Sequence, residues 1–90
     1  MADQELAQVR SAFVDRVSKV LINQLLDDLL QDGILNDGEK DSILEENVSR
    51  ADKARSLIDT VKRKGDVASR KMLAHLQIRD PILYAELGRA

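Results

Sequence analysis

The stretch Ser49-Arg-Ala-Asp-Lys-Ala-Arg-Ser-Leu-Ile-Asp59 decides how this 90-residue chain folds. A serine followed three residues later by an acid, here Asp52, is typical of the start of a helix, because both side chains can bond free backbone N–H groups. Apolar residues then recur at spacings of three and four, which predicts one buried stripe. The stripe consists of Ala51, Ala54, Leu57, Ile58 and Val61. The stretch therefore predicts an amphipathic helix with a basic outer face.

Comparable stripes on both sides of this helix predict five more helices. Their apolar residues are Leu6, Val9, Phe13, Val17, Val20 and Leu21 in the first; Ile22, Leu25, Leu26, Leu29 and Leu30 in the second; Ile43, Leu44 and Val48 in the third; Val67, Ala68, Met72, Leu73 and Leu76 in the fifth; Ile82, Leu83 and Leu87 in the sixth. No segment alternates with a period of two, so we expect no strand. The predicted fold class is all-α: six helices with connections of two to five residues, which favour antiparallel neighbours.

Cap and turn residues predict the helix boundaries. The predicted N-terminal caps are Asp3, Asn36 with Glu39, Ser49, Asp66, and Asp80 before Pro81. Glycine tolerates the left-handed conformation that often ends a helix, so Gly33 and Gly65 are expected to end the second and fourth helices.

Composition indicates one small domain, residues 1–90, with an aliphatic core. Hydrophobic residues make up 43% of the chain but aromatic residues only 2%. There is no cysteine, which excludes disulfides and cysteine-based zinc sites. No apolar run is long enough for a membrane span, and the acidic N-terminus lacks the pattern of a secretory signal. We therefore expect a cytoplasmic chain that does not enter a membrane.

The charges are distributed unevenly. Residues 1–48 hold 4 basic and 11 acidic side chains, whereas residues 49–90 hold 10 basic and 5 acidic ones. The two parts thus carry formal charges of −7 and +5, which add to the −2 of the whole chain. Such asymmetry predicts association with a charged partner.

Two short segments resemble ligand-binding sites, but neither has the residues that such a site requires. The run Lys62-Arg63-Lys64 is too short for a nucleic-acid site, since the chain is negative and offers no aromatic platform; we expect it to stabilise the C-terminal end of the fourth helix. The segment from Asp32 to Glu39 resembles a calcium loop, but oxygen ligands are missing at the required positions, where Leu30 and Gly33 stand. Neither nucleic acid nor calcium is predicted as a partner.

No catalytic or metal site is predicted either. His75 is the only histidine, and the sequence gives it no second histidine, cysteine or placed acid. We therefore expect a structural histidine at or near the surface. The serines lack a paired base, and the carboxylates are expected on convex helix faces. The sequence predicts no enzyme, no metal and no cofactor.

A family resemblance rests on residues between Met1 and Gly65, which match the family's pattern without gaps. These residues are Met1-Ala-Asp3, Arg10, Phe13, Asn23, Leu25-Leu-Asp27, Leu29-Leu30, Leu35-Asn36, Glu46-Asn47, Asp52-Lys53, Arg55, Leu57-Ile-Asp59 and Lys64-Gly65. Through them the chain resembles the caspase recruitment domain (CARD) of the death-domain superfamily. The likeness is strongest to the CARD of the inflammatory, interleukin-converting caspase and its CARD-only relatives; after Gly65 it is weaker. It implies a six-helix bundle with Greek-key topology.

The resemblance also implies a docking mode. In that family an acidic face of the second helix docks on a basic face of the first and fourth helices, which here implies Asp27 and Asp28 on one side. The implied basic side is Arg10, Lys53 and Arg55, with Asp59 spaced to pair with Arg55 inside the fourth helix. Ser11 and Asp15 depart from the positive charge that the subgroup has on the first helix. From periodicity alone, Asp27 and Asp28 are ordinary solvated carboxylates.

The implied function is homotypic assembly with CARD-containing proteins and with further copies of the chain. One alternative is a domain that recruits or assembles an inflammatory caspase into an oligomeric or filamentous complex, as in inflammasome signalling, pyroptosis and apoptosis. The other is a CARD-only decoy that inhibits caspase activation. A ligand-binding or enzymatic helical bundle is a third alternative and would require a pocket.

Overall fold

The computed structural model describes residues 1–89, and within them the chain forms six helices and no strand. The helices are α1 (Ala2–Arg16), α2 (Lys19–Gln31), α3 (Asp37–Glu45), α4 (Arg50–Arg63), α5 (Asp66–Arg79) and α6 (Pro81–Leu87). The predicted all-α bundle is therefore confirmed.

The core is aliphatic, as the composition predicts. Its largest fully buried side chains include Phe13, Ile22, Leu26, Leu57 and Met72, contributed by α1, α2, α4 and α5. Phe13 is completely enclosed, so one of the chain's two aromatic residues lies at the centre of the bundle. Buried aliphatic side chains that interdigitate at close packing hold the helices in one arrangement.

Two antiparallel helix pairs position the charged surfaces. Arg50, at the start of α4, contacts the end of α1, while Asp59, further along α4, contacts Arg10 in the middle of α1. Likewise Asp28 of α2 meets Arg79 of α5, and Asp32 meets His75 four residues earlier. Both pairs therefore run in opposite directions, as short connections favour.

Several predicted caps are confirmed. Asn36 Oδ1 accepts from the N–H of Glu39 at 2.8 Å, and Glu39 Oε1 accepts from the N–H of Asn36 at 3.1 Å. Ser49 Oγ accepts from the N–H of Asp52 at 3.0 Å, and Asp80 caps α6 directly before Pro81. Gly33 has φ 78°, the left-handed conformation expected after α2.

Other predicted boundaries are wrong. The cap position of α1 is Met1, and Asp3 lies in the first turn, where its charge suits the positive end of the helix dipole. α1 ends at Arg16, and Ser18 Oγ caps α2 by accepting from the N–H of Leu21. The continuous apolar spacing from Val17 to Leu21 concealed this break.

The predicted cap Asp66 is also wrong: Gly65, with φ 101°, precedes α5, and Asp66 is its first residue. Four residues assigned to apolar stripes lie on the surface instead: Val20, Val48, Val67 and Ile82 are 65%, 96%, 57% and 73% exposed. Each lies at or near a helix end, where periodicity is least informative. Within residues 1–89, the helices lack the combination of length and apolar character needed to cross a bilayer.

Candidate interaction surfaces

Asp27 belongs to an acidic surface formed by α2 and α3. Its carboxylate is 66% exposed and accepts from Lys40 Nζ of α3 at 2.8 Å. This bond, followed by the fields of Asp41 and Asp37, raises the pKa of Lys40. We call Asp27, Asp37, Asp41 and Lys40 the acidic surface. Three carboxylates around one ammonium give it a net charge of −2.

Asp28 does not share this exposure. Its side chain is only 12% exposed, and Arg79 of α5 donates to both of its oxygens at 2.7 and 2.8 Å. The hydrogen bond from Arg79 is the main reason that the pKa of Asp28 is lowered. The solvated position that periodicity alone indicates for Asp28 is therefore wrong, while its docking role, which the resemblance implies, stays a prediction. Adjacent helical residues project about 100° apart, which turns Asp28 towards α5 and Asp27 towards solvent.

Arg10 and Asp59 form a two-pronged ion pair between α1 and α4. Arg10 Nε and one terminal nitrogen donate to the two carboxylate oxygens at 2.8 and 2.9 Å. The predicted pairing of Arg55 with Asp59 is wrong, because Arg55 instead donates to Asp52 at 2.8 Å. The planar guanidinium of Arg10 matches a carboxylate in a way that the sequence spacing within α4 could not reveal.

Asp59 lies at the centre of a basic surface. Its pKa is lowered first by the hydrogen bond from Arg10 and further by the charges of Lys62 and Arg63. We call Arg10, Lys62, Arg63 and Asp59 the basic surface. Three cations around one carboxylate give it a net charge of +2. Lys62 and Arg63 were visible in the sequence but were assigned only to the helix dipole.

Lys53 lies apart from the other predicted basic residues. It is two residues before Arg55 on α4, and residues at that separation project from different sides of a helix. Within residues 1–89 its ammonium has no ion pair. The structure thus brings Arg10 and Asp59 together, with Arg55 one turn from Asp59, and leaves Lys53 on another side of α4.

Two residues have roles that the sequence did not indicate. Arg50, part of the basic stretch, donates through Nη1 to the carbonyl oxygens of Val14 and Val17 at 2.6 and 2.8 Å. It therefore caps the C-terminal end of α1. His75 does have placed acids, contrary to expectation: its Nε2 lies 2.5 Å from Asp32 and its Nδ1 lies 3.6 Å from Asp28.

The sequence family that matches this chain is described as the caspase recruitment domain, and the match covers residues 3–90. The chain belongs to the caspase recruitment domain family. The CARD is an interaction module that associates with other CARDs, and the matched region is not a protease.

Similar proteins agree with this assignment. Human caspase recruitment domain-containing protein 18 is 40% identical over 88 residues, which is 98% of this chain and 98% of that protein. Horse caspase-1 is 41% identical over 87 residues, which is 97% of this chain but 22% of that protein. This CARD thus corresponds to about one fifth of the caspase and to nearly all of the shorter relative.

A solved structure has the same fold. The solution structure of ICEBERG, described as an inhibitor of interleukin-1beta generation, aligns with a TM-score of 0.85 and 37% identity. The alignment covers 92% of this chain and 93% of that chain. The six helices therefore form the death-domain-like bundle that the resemblance implied.

Proposed function

We propose that this CARD binds other CARD-containing proteins, and further copies of itself, by docking its acidic surface on a basic surface like its own. The supporting observation is that the two surfaces carry net charges of −2 and +2 and lie on different helix pairs. A contact between two different patches is heterologous, so unless its rotation closes a ring it continues into a filament.

The exposed members of each surface support this docking energetically. Asp27 is 66% exposed and, within residues 1–89, its side chain is bonded only by Lys40, so it can accept from an arriving cation without unfolding α2. Solvent-exposed ion pairs contribute about 0–1 kcal/mol, whereas a charged pair that loses water in an interface can couple by more than about 1.5 kcal/mol. The same carboxylate therefore contributes more to docking than it does to the isolated fold.

The relatives suggest the partner. Because caspase-1 carries a matching domain, we propose that this CARD recruits or assembles an inflammatory caspase into an oligomeric or filamentous complex in the cytoplasm. Inflammasome signalling and the cell-death pathways that use it are the corresponding processes. Asp27 is assigned the central acidic role, and Arg10 the central basic role with Asp59 holding it in place.

A decoy is the second candidate, and one observation favours it. Arg10 and Arg55 are each bonded to an acid of the same chain, whereas Asp37 and Asp41 have no ion pair within residues 1–89. A domain whose acidic surface docks more readily than its basic surface would occupy the end of a growing assembly and slow it. The description of ICEBERG as an inhibitor agrees with this candidate.

The docking proposal is tested by Asp27→Arg. We expect binding to an immobilised horse caspase-1 CARD to weaken by more than about tenfold, because the acidic surface changes from −2 to neutral. Glu5→Arg is the matched control, since Glu5 is an exposed acid of α1 that has no ion pair in the described part of the chain, and the charge change is the same. Equal binding by Asp27→Arg and Glu5→Arg would contradict the docking proposal.

The two candidates are separated by adding small amounts of the wild-type domain to the assembling caspase-1 CARD. Recruitment predicts that light scattering rises sooner and higher. A decoy predicts a slower rise and shorter particles by electron microscopy. In both cases Asp27→Arg should have a much smaller effect than the wild-type domain, because only its basic surface is left to dock; an equal effect would indicate nonspecific action of added protein.

A further inference from the structure

A cluster of four charged or titratable side chains joins α2 to α5 beside the acidic surface. It consists of Asp28 and Asp32 of α2 with His75 and Arg79 of α5. His75 Nε2 lies 2.5 Å from Asp32 Oδ2, and His75 Nδ1 lies 3.6 Å from Asp28 Oδ2. Arg79 binds both oxygens of Asp28. The imidazole is therefore placed between two carboxylates, with both ring nitrogens directed at acids.

The two charge states of His75 fit this position differently. A neutral imidazole has one N–H donor and one nitrogen lone pair, whereas ionised carboxylates only accept hydrogen bonds. The neutral ring can donate to one acid and leaves a lone pair towards the other. The imidazolium donates from both nitrogens. It therefore bonds Asp32 and attracts the carboxylate of Asp28 across the 3.6 Å that separates them.

The end of α2 provides a second, independent contribution. Asp32 is the C-terminal cap residue of α2, so His75 lies against the end of the helix where the backbone carbonyl groups concentrate negative charge. A cation is favourable there. The groups that repel a protonated His75 are two cations of α5: Lys71 precedes His75 by one turn, and Arg79 follows it by one turn. Arg79 is already bound by Asp28, which reduces its repulsion.

We propose that His75 is a proton-operated clamp that, when protonated, tightens α2 against α5 and reduces the negative charge beside the acidic surface. Histidine changes charge between about pH 5 and 8, and the ring is 27% exposed, so water can deliver the proton. Asp27 lies close enough for its charge to act on Arg79, which connects the clamp to the acidic surface. The effect on docking rests on the proposed function; the effect on stability does not.

The two consequences have opposite signs. Lowering the pH from about 8 to about 6 stabilises the fold, because the imidazolium presents an N–H to each of the two facing carboxylates, whereas the neutral ring has only one N–H. The same proton adds a positive charge near the acidic surface and weakens its attraction for a basic partner. Opposite changes in stability and docking that both depend on His75 would distinguish the clamp from a general effect of pH on the protein.

The test compares wild type with His75→Gln, which keeps a donor for Asp32 but does not titrate. Because the chain has one histidine, this variant removes every imidazole. Between about pH 8 and pH 6, we expect the wild-type unfolding constant, measured in urea, to fall by about three- to tenfold. The constant of His75→Gln should change by less than about twofold. Equal pH responses would overturn the clamp.

Asp32→Asn provides a second variant that retains the histidine but removes its nearest carboxylate. Its pH response should lie between those of wild type and His75→Gln, and a response equal to wild type would contradict the geometry assigned to the clamp. Comparing each variant with itself at two pH values removes any constant loss of stability caused by the substitution.

The docking arm uses the horse caspase-1 CARD as the probe. Wild-type affinity should fall by about twofold between pH 8 and pH 6 beyond the change seen for His75→Gln. If affinity changes equally in the two proteins while their stabilities differ, the link to docking is wrong and the clamp stands. If the probe binds at neither pH, the proposed function fails while the urea measurements still decide the clamp.

Discussion

The acidic and basic surfaces have the same arrangement of charges with opposite signs, but they differ in exposure and in how much they contribute to the fold. Lys40 lies among three carboxylates of the acidic surface, whose central acid Asp27 is 66% exposed. Asp59 lies among three cations of the basic surface, and its side chain is 33% exposed. Asp59 also holds α1 to α4 through Arg10. The central acid of the acidic surface is therefore the more exposed of the two, whereas the basic surface also contributes to the fold.

The largest expected difference between the surfaces is in stability. Asp59→Ala removes both hydrogen bonds from Arg10 and leaves the guanidinium without a partner, so we expect a loss of about 1–2 kcal/mol in the free energy of unfolding. Asp27→Ala should change it by less than about 0.5 kcal/mol, because its ion pair is solvent-exposed. Urea unfolding of both variants checks this prediction. Equal losses of unfolding free energy would show that the two surfaces do not differ in their contribution to the fold.

A smaller difference is expected in acid. Arg79 lowers the pKa of Asp28 and Arg10 lowers that of Asp59, so both carboxylates stabilise the native state above the ordinary carboxyl pKa of 3.8. This contribution is lost as the pH falls through the lowered native values. Asp28→Asn should therefore be less stable than wild type near neutral pH, and the gap should narrow from about pH 4 downwards.

Thermal unfolding of wild type and Asp28→Asn across that pH range measures the difference in stability between them. A gap that stays constant down to the lowest accessible pH would show that the charge of Asp28 does not contribute in this way. Asp15→Asn is the control, since Asp15 is exposed on α1 and makes no ion pair with any of residues 1–89, so its substitution should leave the pH profile nearly unchanged.

The smallest effect on stability is expected at the edge of the acidic surface. Asp41→Lys should change the free energy of unfolding by less than about 0.5 kcal/mol, because Asp41 is exposed and has no ion pair among the residues that the structure describes. It should nevertheless weaken docking to the caspase-1 CARD. Raising the salt concentration should reduce the binding difference between Asp41→Lys and wild type, because salt screens exposed charges. Salt-independent binding would contradict the electrostatic account.

Much of the fold could be predicted because helical periodicity and capping are local. Asn36 with Glu39, and Ser49 with Asp52, are each set by residues three positions apart. The break after α1 was missed because its apolar residues continue through it. Val48 was misassigned because its exposure depends on the turn after α3 and not on spacing.

The site was predicted less completely because ion pairs depend on distances between helices. Arg10 and Asp59 are 49 residues apart in sequence, and Asp28 and Arg79 are 51 apart. No spacing rule connects such residues, and the nearer Arg55 offered Asp59 a plausible partner. Asp37 and Asp41 left a weaker signal, since their four-residue spacing places them on one face of a short helix.

The most direct test of heterologous docking mixes two disabled variants. Asp27→Arg lacks the acidic surface and Lys62→Glu weakens the basic one, so each alone should remain monomeric at concentrations where wild type assembles. Mixed in equal amounts, the intact acidic surface of Lys62→Glu should bind the intact basic surface of Asp27→Arg. Light scattering coupled to size exclusion should then detect a 1:1 heterodimer that does not grow. Assembly by either variant alone, or a mixture that remains monomeric, would contradict the account.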